Sequence, residues 1–251
     1  MLGPGLPDWP RAAAVLRADT PYAPLRAELP PPQALPPAER RRAGRVVRLA
    51  LAIGAQAVEA AGVAAATLPS VFSSSGADGD NCHEICTALA SNERAISPTR
   101  FHNSVHNAAS GYWSIAQACQ EPSTALCAHD ASFGAGLLEA LMQLSGGAAN
   151  LLLAVYDVDY PPPLHERRPI PDAFGIALVL GREATAEGPR IALCFTDAPA
   201  TRLADAALEK LRQSIPAARA LPLLRALAEA RPARVVLDYL PERRLQMELQ
   251  P

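Results

Sequence analysis

The segment from Ser97 to Ala140 reads SPTRFHNSVHNAASGYWSIAQACQEPSTALCAHDASFGAGLLEA, and its pattern decides the fold class. A stretch rich in Asn and His opens a predicted helix over about 101–119. A short apolar strand is predicted over 125–128, and small residues then lead into a helix over 131–144. This order of helix, strand, tight turn and helix indicates a layered α/β protein.

The rest of the chain continues the alternation of strands and helices. The basic and then apolar run over 38–61 predicts one long amphipathic helix that Gly62 ends. Further strands are predicted over 68–74, 150–156, 173–180, 190–195 and 234–240, and further helices over 81–90, 203–214 and 221–230. We therefore expect an α/β layered architecture with a largely buried sheet.

The first 37 residues differ from the remainder because they contain many prolines. Proline fixes the backbone and removes a hydrogen-bond donor, so this segment is expected to be extended, with about one helical turn near 11–17. The predicted organisation is a proline-rich segment, 1–37, that packs on or extends from a single domain, 38–251.

The composition of the chain excludes several function classes. A formal net charge of −2 over 251 residues gives no electrostatic footprint for nucleic acid or for an anionic membrane. Five cysteines are an odd number and do not form the framework of a small secreted domain. No signal peptide or membrane span can be recognised, so a cytoplasmic protein is expected.

The 97–140 segment resembles the active-site region of the β-ketoacyl synthases, which have the thiolase-like fold. In that family a Gly-Pro precedes a strand that ends in the nucleophilic cysteine, and a helix of small and apolar residues follows. Aligning Pro122 with that proline and Leu137 with that helix places Asp130 at the position of the cysteine. Cys127 lies three residues too early. The resemblance implies a thiolase-like α/β/α fold, shortened in its C-terminal half, with a degenerate nucleophile position.

The other catalytic groups of the family are also missing. Ketosynthases pair the cysteine with two histidines and a lysine from glycine-rich loops in their C-terminal half. After residue 145 this chain has one histidine, His165, in a proline-rich loop, and neither glycine-rich loop is present. A thiolate needs a neighbouring base or cation, and an oxyanion needs donors. The chain is therefore expected to lack catalysis of its own.

The resemblance implies a chain-length-factor-like subunit that forms a heterodimer with an active β-ketoacyl-ACP synthase and helps to shape the acyl pocket. Substrates would arrive on acyl carrier protein, and no cofactor or metal is expected. The sequence FHNSVHNAASGYW, 101–113, is similar to small ketosynthase-like proteins that accompany aryl-polyene and related fatty-acid-like pathways. The residues predicted to form the partner interface are Phe101, His102, Asn103, Val105, His106, Asn107, Tyr112 and Trp113.

Several residues have more than one interpretation. His102 and His106 could share a metal if both lay on one helix, but a third ligand is missing, so hydrogen bonding at the interface or within the chain is favoured. Cys82 and Cys86 are expected to be buried thiols, and a reactive or metal-bound pair is the alternative. Asp157, at the end of a strand, is expected to be a solvated loop residue, although acid/base chemistry or a divalent ion is the alternative.

The nucleophile position itself allows two functions. Asp130 is expected to cap the helix that follows it, because a carboxylate is stabilised at a helix N-terminus. The competing hypothesis is a free-standing acyltransferase or thioesterase that works through Cys127, or through Asp130 with His129 or His106.

Overall fold

The computed structural model describes residues 1–183 and 188–250, which form two β-sheets and ten α-helices. The seven strands are β1 Ser70–Ser73, β2 Ser123–Leu126, β3 Asn150–Asp157, β4 Phe174–Gly181, β5 Arg190–Thr196, β6 Ala233–Leu240 and β7 Arg243–Gln250. The helices are α1 Trp9–Leu16, α2 Pro37–Arg42, α3 Arg45–Ala61, α4 Gly79–Ala90, α5 Pro98–His102, α6 Ala108–Gln117, α7 Ser132–Ser145, α8 Leu164–Arg167, α9 Ala206–Ser214 and α10 Leu221–Glu229.

The first sheet has the strand order β2-β1-β3-β4 and lies at the centre of the molecule. β1 is parallel to both β2 and β3, whereas β4 is antiparallel to β3. Seven of the eight residues of β3 are buried, as expected for a strand covered on both faces. The predicted α/β architecture with a buried sheet is confirmed.

Alternate residues of the first sheet contribute to two separate apolar cores. One face, which includes Val71 and Leu153, packs against α7, and α7 in turn contacts β6 of the second sheet, so all of them share one core. The opposite face, which includes Phe72 and Leu152, packs against α3 and α6. The layers are therefore α3 with α6, the first sheet, α7, and the second sheet.

Two helices predicted as continuous are each interrupted. The 38–61 helix is broken at Ala43 and Gly44, where a Cβ on Gly44 would lie 2.8 Å from Asp78 Oδ2. The 101–119 helix is broken between α5 and α6, because the Asn103 side chain turns inward and donates from Nδ2 to the Arg42 carbonyl at 2.9 Å. The predicted end of α3 at Gly62 is confirmed by its left-handed φ of 63°.

The second sheet has the order β5-β7-β6, and the prediction that 234–240 is the last strand was wrong. β7 is its central strand and pairs antiparallel with both neighbours. The alternation of Leu245, Met247 and Leu249 with polar residues is the period-two signal that could have identified β7.

The N-terminal segment packs on the sheet. Met1, Leu2 and Leu6 are buried, and Leu2 forms a β-bridge with Gly175 of β4. α1 is longer than the single turn expected, and Asp8 caps it by accepting from the Arg11 amide at 2.8 Å. In the part of the chain that the structure describes, no helix combines the length and apolar character needed to cross a membrane.

Candidate functional site

The candidate site lies where three parallel strands end at the same edge of the first sheet. Ser74 and Ser75 follow β1, the turn from Cys127 to Asp130 follows β2, and Asp157 ends β3. In α/β proteins this edge is the usual location of ligand and catalytic groups. Asp130, the predicted nucleophile position, therefore lies at the edge where the fold would place chemistry.

Asp130 lies in a short 3-10 turn, 129–131, and binds two arginines. Arg168 Nη2 donates to Asp130 Oδ1 at 2.7 Å, and Arg219 Nη2 donates to Oδ2 at 3.0 Å. Partial burial acts to raise the pKa of the Asp130 carboxyl, but the Arg168 hydrogen bond and the charges of both arginines outweigh it and lower that pKa. Asp130 is thus a carboxylate at neutral pH, with a cation on each oxygen.

The predicted capping role of Asp130 was wrong. α7 begins at Ser132, and no side chain caps its N-terminus. The turn is instead organised by Ser132, whose Oγ donates to the His129 carbonyl at 2.7 Å and accepts from the Ala128 amide at 3.1 Å. The two arginines direct the carboxylate away from the helix amides because ionic hydrogen bonds are stronger than neutral ones.

His129 has a left-handed φ of 51° and an exposed side chain. Its Nε2 lies 2.6 Å from Arg168 Nη1. Because a guanidinium can only donate, the lone pair of Nε2 accepts this hydrogen bond and is not free to remove a proton from a substrate. The imidazole proton then lies on Nδ1, which is 3.5 Å from Asp130 Oδ1. His129 is therefore poorly arranged to act as a general base.

Cys127 is exposed, but the structure does not bring it to a base. Its Sγ donates to the Ser75 carbonyl at 3.1 Å. His106, the other candidate base, lies in the turn between α5 and α6 and contacts the Leu126 carbonyl through Nε2 at 2.9 Å. Among the described residues, no imidazole is hydrogen-bonded to Cys127.

Asp157 is buried, so the expectation of a solvated loop residue was wrong. Its Oδ1 accepts from the Ser75 amide at 2.8 Å and from Ser75 Oγ at 2.6 Å, and its Oδ2 accepts from the Ala217 amide at 2.8 Å. Burial raises the pKa of this carboxyl to about 6, although the hydrogen bonds from Ser75 and Ala217 act to lower it. Asp157 therefore ties the end of β1 to the 216–220 turn.

Sequence reasoning missed Arg168 and Arg219, the two partners of Asp130. They are separated from it by 38 and 89 residues along the chain, and neither belongs to a motif. The run Ser73-Ser74-Ser75 at the end of a predicted strand was a usable signal for hydrogen bonding at the edge of the sheet. No comparable signal marked the arginines.

The eight residues predicted to form a partner interface differ in their exposure, and His106 is half-buried in the turn between α5 and α6. Phe101 and Val105 are exposed, at 69% and 52%, and His102 and Asn107 are also exposed. Asn103, Tyr112 and Trp113 are buried within this chain, so their assignment to an interface was wrong.

The three buried residues are fixed within this chain by a polar contact and by close packing. Tyr112 donates its hydroxyl hydrogen to Asn103 Oδ1 at 3.1 Å. Trp113 packs over Gly54 and against Phe72, with ring centroids 6.3 Å apart. These contacts join α6 to α3 and to the sheet, and they belong to the core.

The structure provides no metal centre among residues 1–183 and 188–250, where no three potential ligands are grouped. His102 ends α5 and packs edge-on against Tyr112, whereas His106 contacts β2, so the two imidazoles do not share a helix face. Cys82 and Cys86 are exposed on α4, and the expectation of buried thiols was wrong.

Comparison with known proteins identifies the family. The model for "Beta-ketoacyl synthase, N-terminal domain" matches residues 14–238, so the chain belongs to the β-ketoacyl synthase family. The predicted resemblance is thereby confirmed. Comparison with the curated proteins gives no match.

Solved structures confirm the thiolase-like fold. In the complex of the ketosynthase ApeO with its chain length factor ApeC from Xenorhabdus doucetiae, one chain matches with 22% identity and a TM-score of 0.75. The match covers 98% of this chain and 95% of that chain, so the two have similar lengths. The ishigamide ketosynthase/chain length factor matches with 14% identity and a TM-score of 0.67, covering 96% and 94%.

A third structure is AntDE:AntF, a type II polyketide acyl carrier protein in complex with its ketosynthase bound to the hexaketide. It matches with 11% identity and a TM-score of 0.68, and the match covers 99% of this chain and 97% of that chain. All three structures are thus similar to this chain over nearly its whole length.

Proposed function

We propose that this chain is a non-catalytic, chain-length-factor-like subunit that pairs with an active β-ketoacyl-ACP synthase and helps to shape its acyl pocket. The observation that carries the proposal is the pairing of Asp130 with Arg168 and Arg219 at the nucleophile position. A carboxylate with a guanidinium on each oxygen is a weak nucleophile and a weak base. Both oxygens of the Asp130 carboxylate already have an ionic hydrogen-bond partner within the chain, without a bound substrate.

The surface of the chain supports pairing with another subunit. β2 is an edge strand, and one side of its backbone has no neighbouring strand among the described residues. Exposed Phe101 and Val105 lie on and next to α5, and His106 connects this turn to the end of β2. Exposed edges and apolar side chains of this kind are typical of protein interfaces.

In the proposed complex the partner supplies the cysteine and histidines, and acyl carrier protein delivers the thioesters. This assignment follows the ketosynthase/chain length factor complexes to which the chain is similar in fold. The resemblance of 101–113 to proteins of aryl-polyene and fatty-acid-like pathways supports that pathway type.

The test is to incubate malonyl and acyl thioesters of acyl carrier protein with the pure chain, and in parallel with the chain co-expressed with a ketosynthase from its host. We expect condensation product only from the complex, because the nucleophile position holds Asp130. Cys127→Ala should leave the activity of the complex unchanged. Product formed by the pure chain and abolished by Cys127→Ala or Asp130→Asn would support the acyltransferase or thioesterase alternative and overturn the proposal.

A further inference from the structure

One helix of the structure presents an apolar stripe that its own chain leaves largely exposed, with one of its four residues, Ile85, half-buried. Cys82, Ile85, Cys86 and Leu89 of α4 are spaced at i, i+3, i+4 and i+7, so they share one face, which we call the α4 stripe. Both cysteines are exposed, and Leu89 is 48% exposed. A helix of a folded domain normally buries such a face against its own core.

The beginning of α4 is nevertheless fixed in position. Asp78 caps the helix by accepting from the Asn81 amide at 2.9 Å, and Asn81 Nδ2 donates to the Arg100 carbonyl at 2.8 Å. Arg100 also forms an ion pair with Glu84 at 3.4 Å. Gly79 lies so close to the Tyr160 ring that a Cβ would approach it to 2.3 Å. The α4 stripe is therefore displayed on an anchored helix.

Helix α4, which carries the stripe, is joined to the proposed interface by contacts from its other faces. Asn81 and Glu84 connect α4 to Arg100 of α5, and the next residue along α5 is the exposed Phe101. The following turn reaches β2 through His106. The helix, the turn and the edge strand thus form a connected part of the surface.

The charge of α4 favours a protein partner over a membrane. Amphipathic helices that bind membranes carry Lys and Arg on their polar face. The sequence of α4, GDNCHEICTALA, contains neither residue and includes Asp80 and Glu84. A partner with an apolar contact face fits this helix better than an anionic lipid surface does.

We infer that the α4 stripe is buried against the ketosynthase subunit in the complex, which extends the contact surface beyond Phe101 and Val105. This inference rests on the proposed function. The two cysteines of the stripe are native reporters of its burial, because their reaction with a maleimide requires access to solvent.

The first test compares N-ethylmaleimide modification of each cysteine in the free chain and in the purified complex, read by mass spectrometry. We expect the modification rates of Cys82 and Cys86 to fall about tenfold or more in the complex. The matched control is Cys194, which is exposed on β5 of the second sheet and should keep its rate. Unchanged rates at Cys82 and Cys86 in a complex that forms would overturn the inference but not the proposed function.

The second test compares the affinities of two α4 variants for the ketosynthase. Leu89→Glu places a charge in the α4 stripe and should weaken binding about tenfold or more. Thr87→Glu changes an exposed residue on the opposite side of α4 and should alter binding by less than about twofold. Equal affinity of the two variants would overturn the inference.

Two further outcomes are decisive. If the thiols of the free chain become protected as its concentration rises, a second copy covers the α4 stripe and the inference is wrong. If no complex with a ketosynthase can be isolated, the proposed function fails, and the inference fails with it.

Discussion

At the scale of single residues, Asp130 illustrates how far the sequence could be interpreted. Alignment of Pro122 and Leu137 with the family pattern predicts the nucleophile position and places a carboxylate there. The local sequence then favoured a helix cap. Arg168 and Arg219 come from distant loops, and their charges determine the direction of the side chain. A long-range ion pair cannot be predicted from local pattern alone.

Replacing Asp130 should distinguish an ion pair from a cap. Asp130→Asn and Asp130→Ala should each lower the free energy of unfolding by about 1 kcal/mol, the upper range for a partly exposed pair after solvent screening. An asparagine would preserve a cap, but its side chain is neutral and cannot form ion pairs with two guanidinium groups. Urea unfolding at pH 7 measures both variants, with Asp130→Glu as the charge-conserving control. An Asn variant as stable as the parent would contradict the ion-pair role.

The same experiment has a defined pH dependence. Because the folded-state pKa of Asp130 is lowered, its ionic stabilisation is present above the unfolded pKa of about 4 and is lost as the pH falls further. The difference in the free energy of unfolding between Asp130→Asn and the parent should therefore become smaller at acidic pH.

At the scale of elements, periodicity predicted which segments form helices but not where the helices break. The apolar spacing of 45–61 and Gly62 identified α3, and the small residues after β2 identified α7. The breaks depend on tertiary contacts, namely the approach of Gly44 to Asp78 and the hydrogen bond from Asn103 to the Arg42 carbonyl. The same tertiary packing turned Tyr112 and Trp113 from predicted interface anchors into core residues.

The packing of α3 on α6 can be tested at Gly54. A Cβ at this position would lie 2.6 Å from the Trp113 ring, so Gly54→Ala should destabilise the fold by about 1–3 kcal/mol despite the better helix propensity of alanine. Outside its own helical backbone and chain neighbours, no described atom lies within 4 Å of a Cβ at Gly111 on α6, and Gly111→Ala should be neutral or stabilising. Thermal unfolding of the two variants makes the comparison. Equal melting temperatures would show that α6 can move away from α3 without cost.

At the scale of the whole molecule, the layered α/β class and the family could both be predicted from the sequence. The hydrogen bonds that join distant segments of the chain could not. Asp157 ends a strand of the first sheet, yet it accepts a hydrogen bond from Ala217, 60 residues further along the chain. Its position after an apolar strand gave no sign of this partner. The buried carboxylate links the first sheet to the turn that leads into α10.

Asp157 should make the stability of the whole fold depend on pH. Its folded pKa of about 6 lies above the unfolded value near 4, so the folded state binds more protons between these values. The free energy of unfolding should therefore fall by about 2–3 kcal/mol from this group as the pH rises from about 4 to about 6. Asp157→Asn should remove this contribution, although it also loses a carboxylate acceptor. Urea midpoints of the parent and of Asp157→Asn across this pH range show how the stability of each depends on pH. The same dependence in both proteins would exclude the effect.

The central position of β7 has a consequence for synthesis of the chain. β5 and β6 pair only with β7 among the described strands, so the second sheet cannot form on the ribosome before residue 250 is made. The four strands of the first sheet are complete by Gly181, but Val71 and Leu153 share a core with Leu245 and Met247. During the intervening synthesis α7 already covers that face of the first sheet, but the side of α7 that packs against β6 and Leu245 has no cover. This is the period when a nascent chain is most exposed to aggregation and to chaperones.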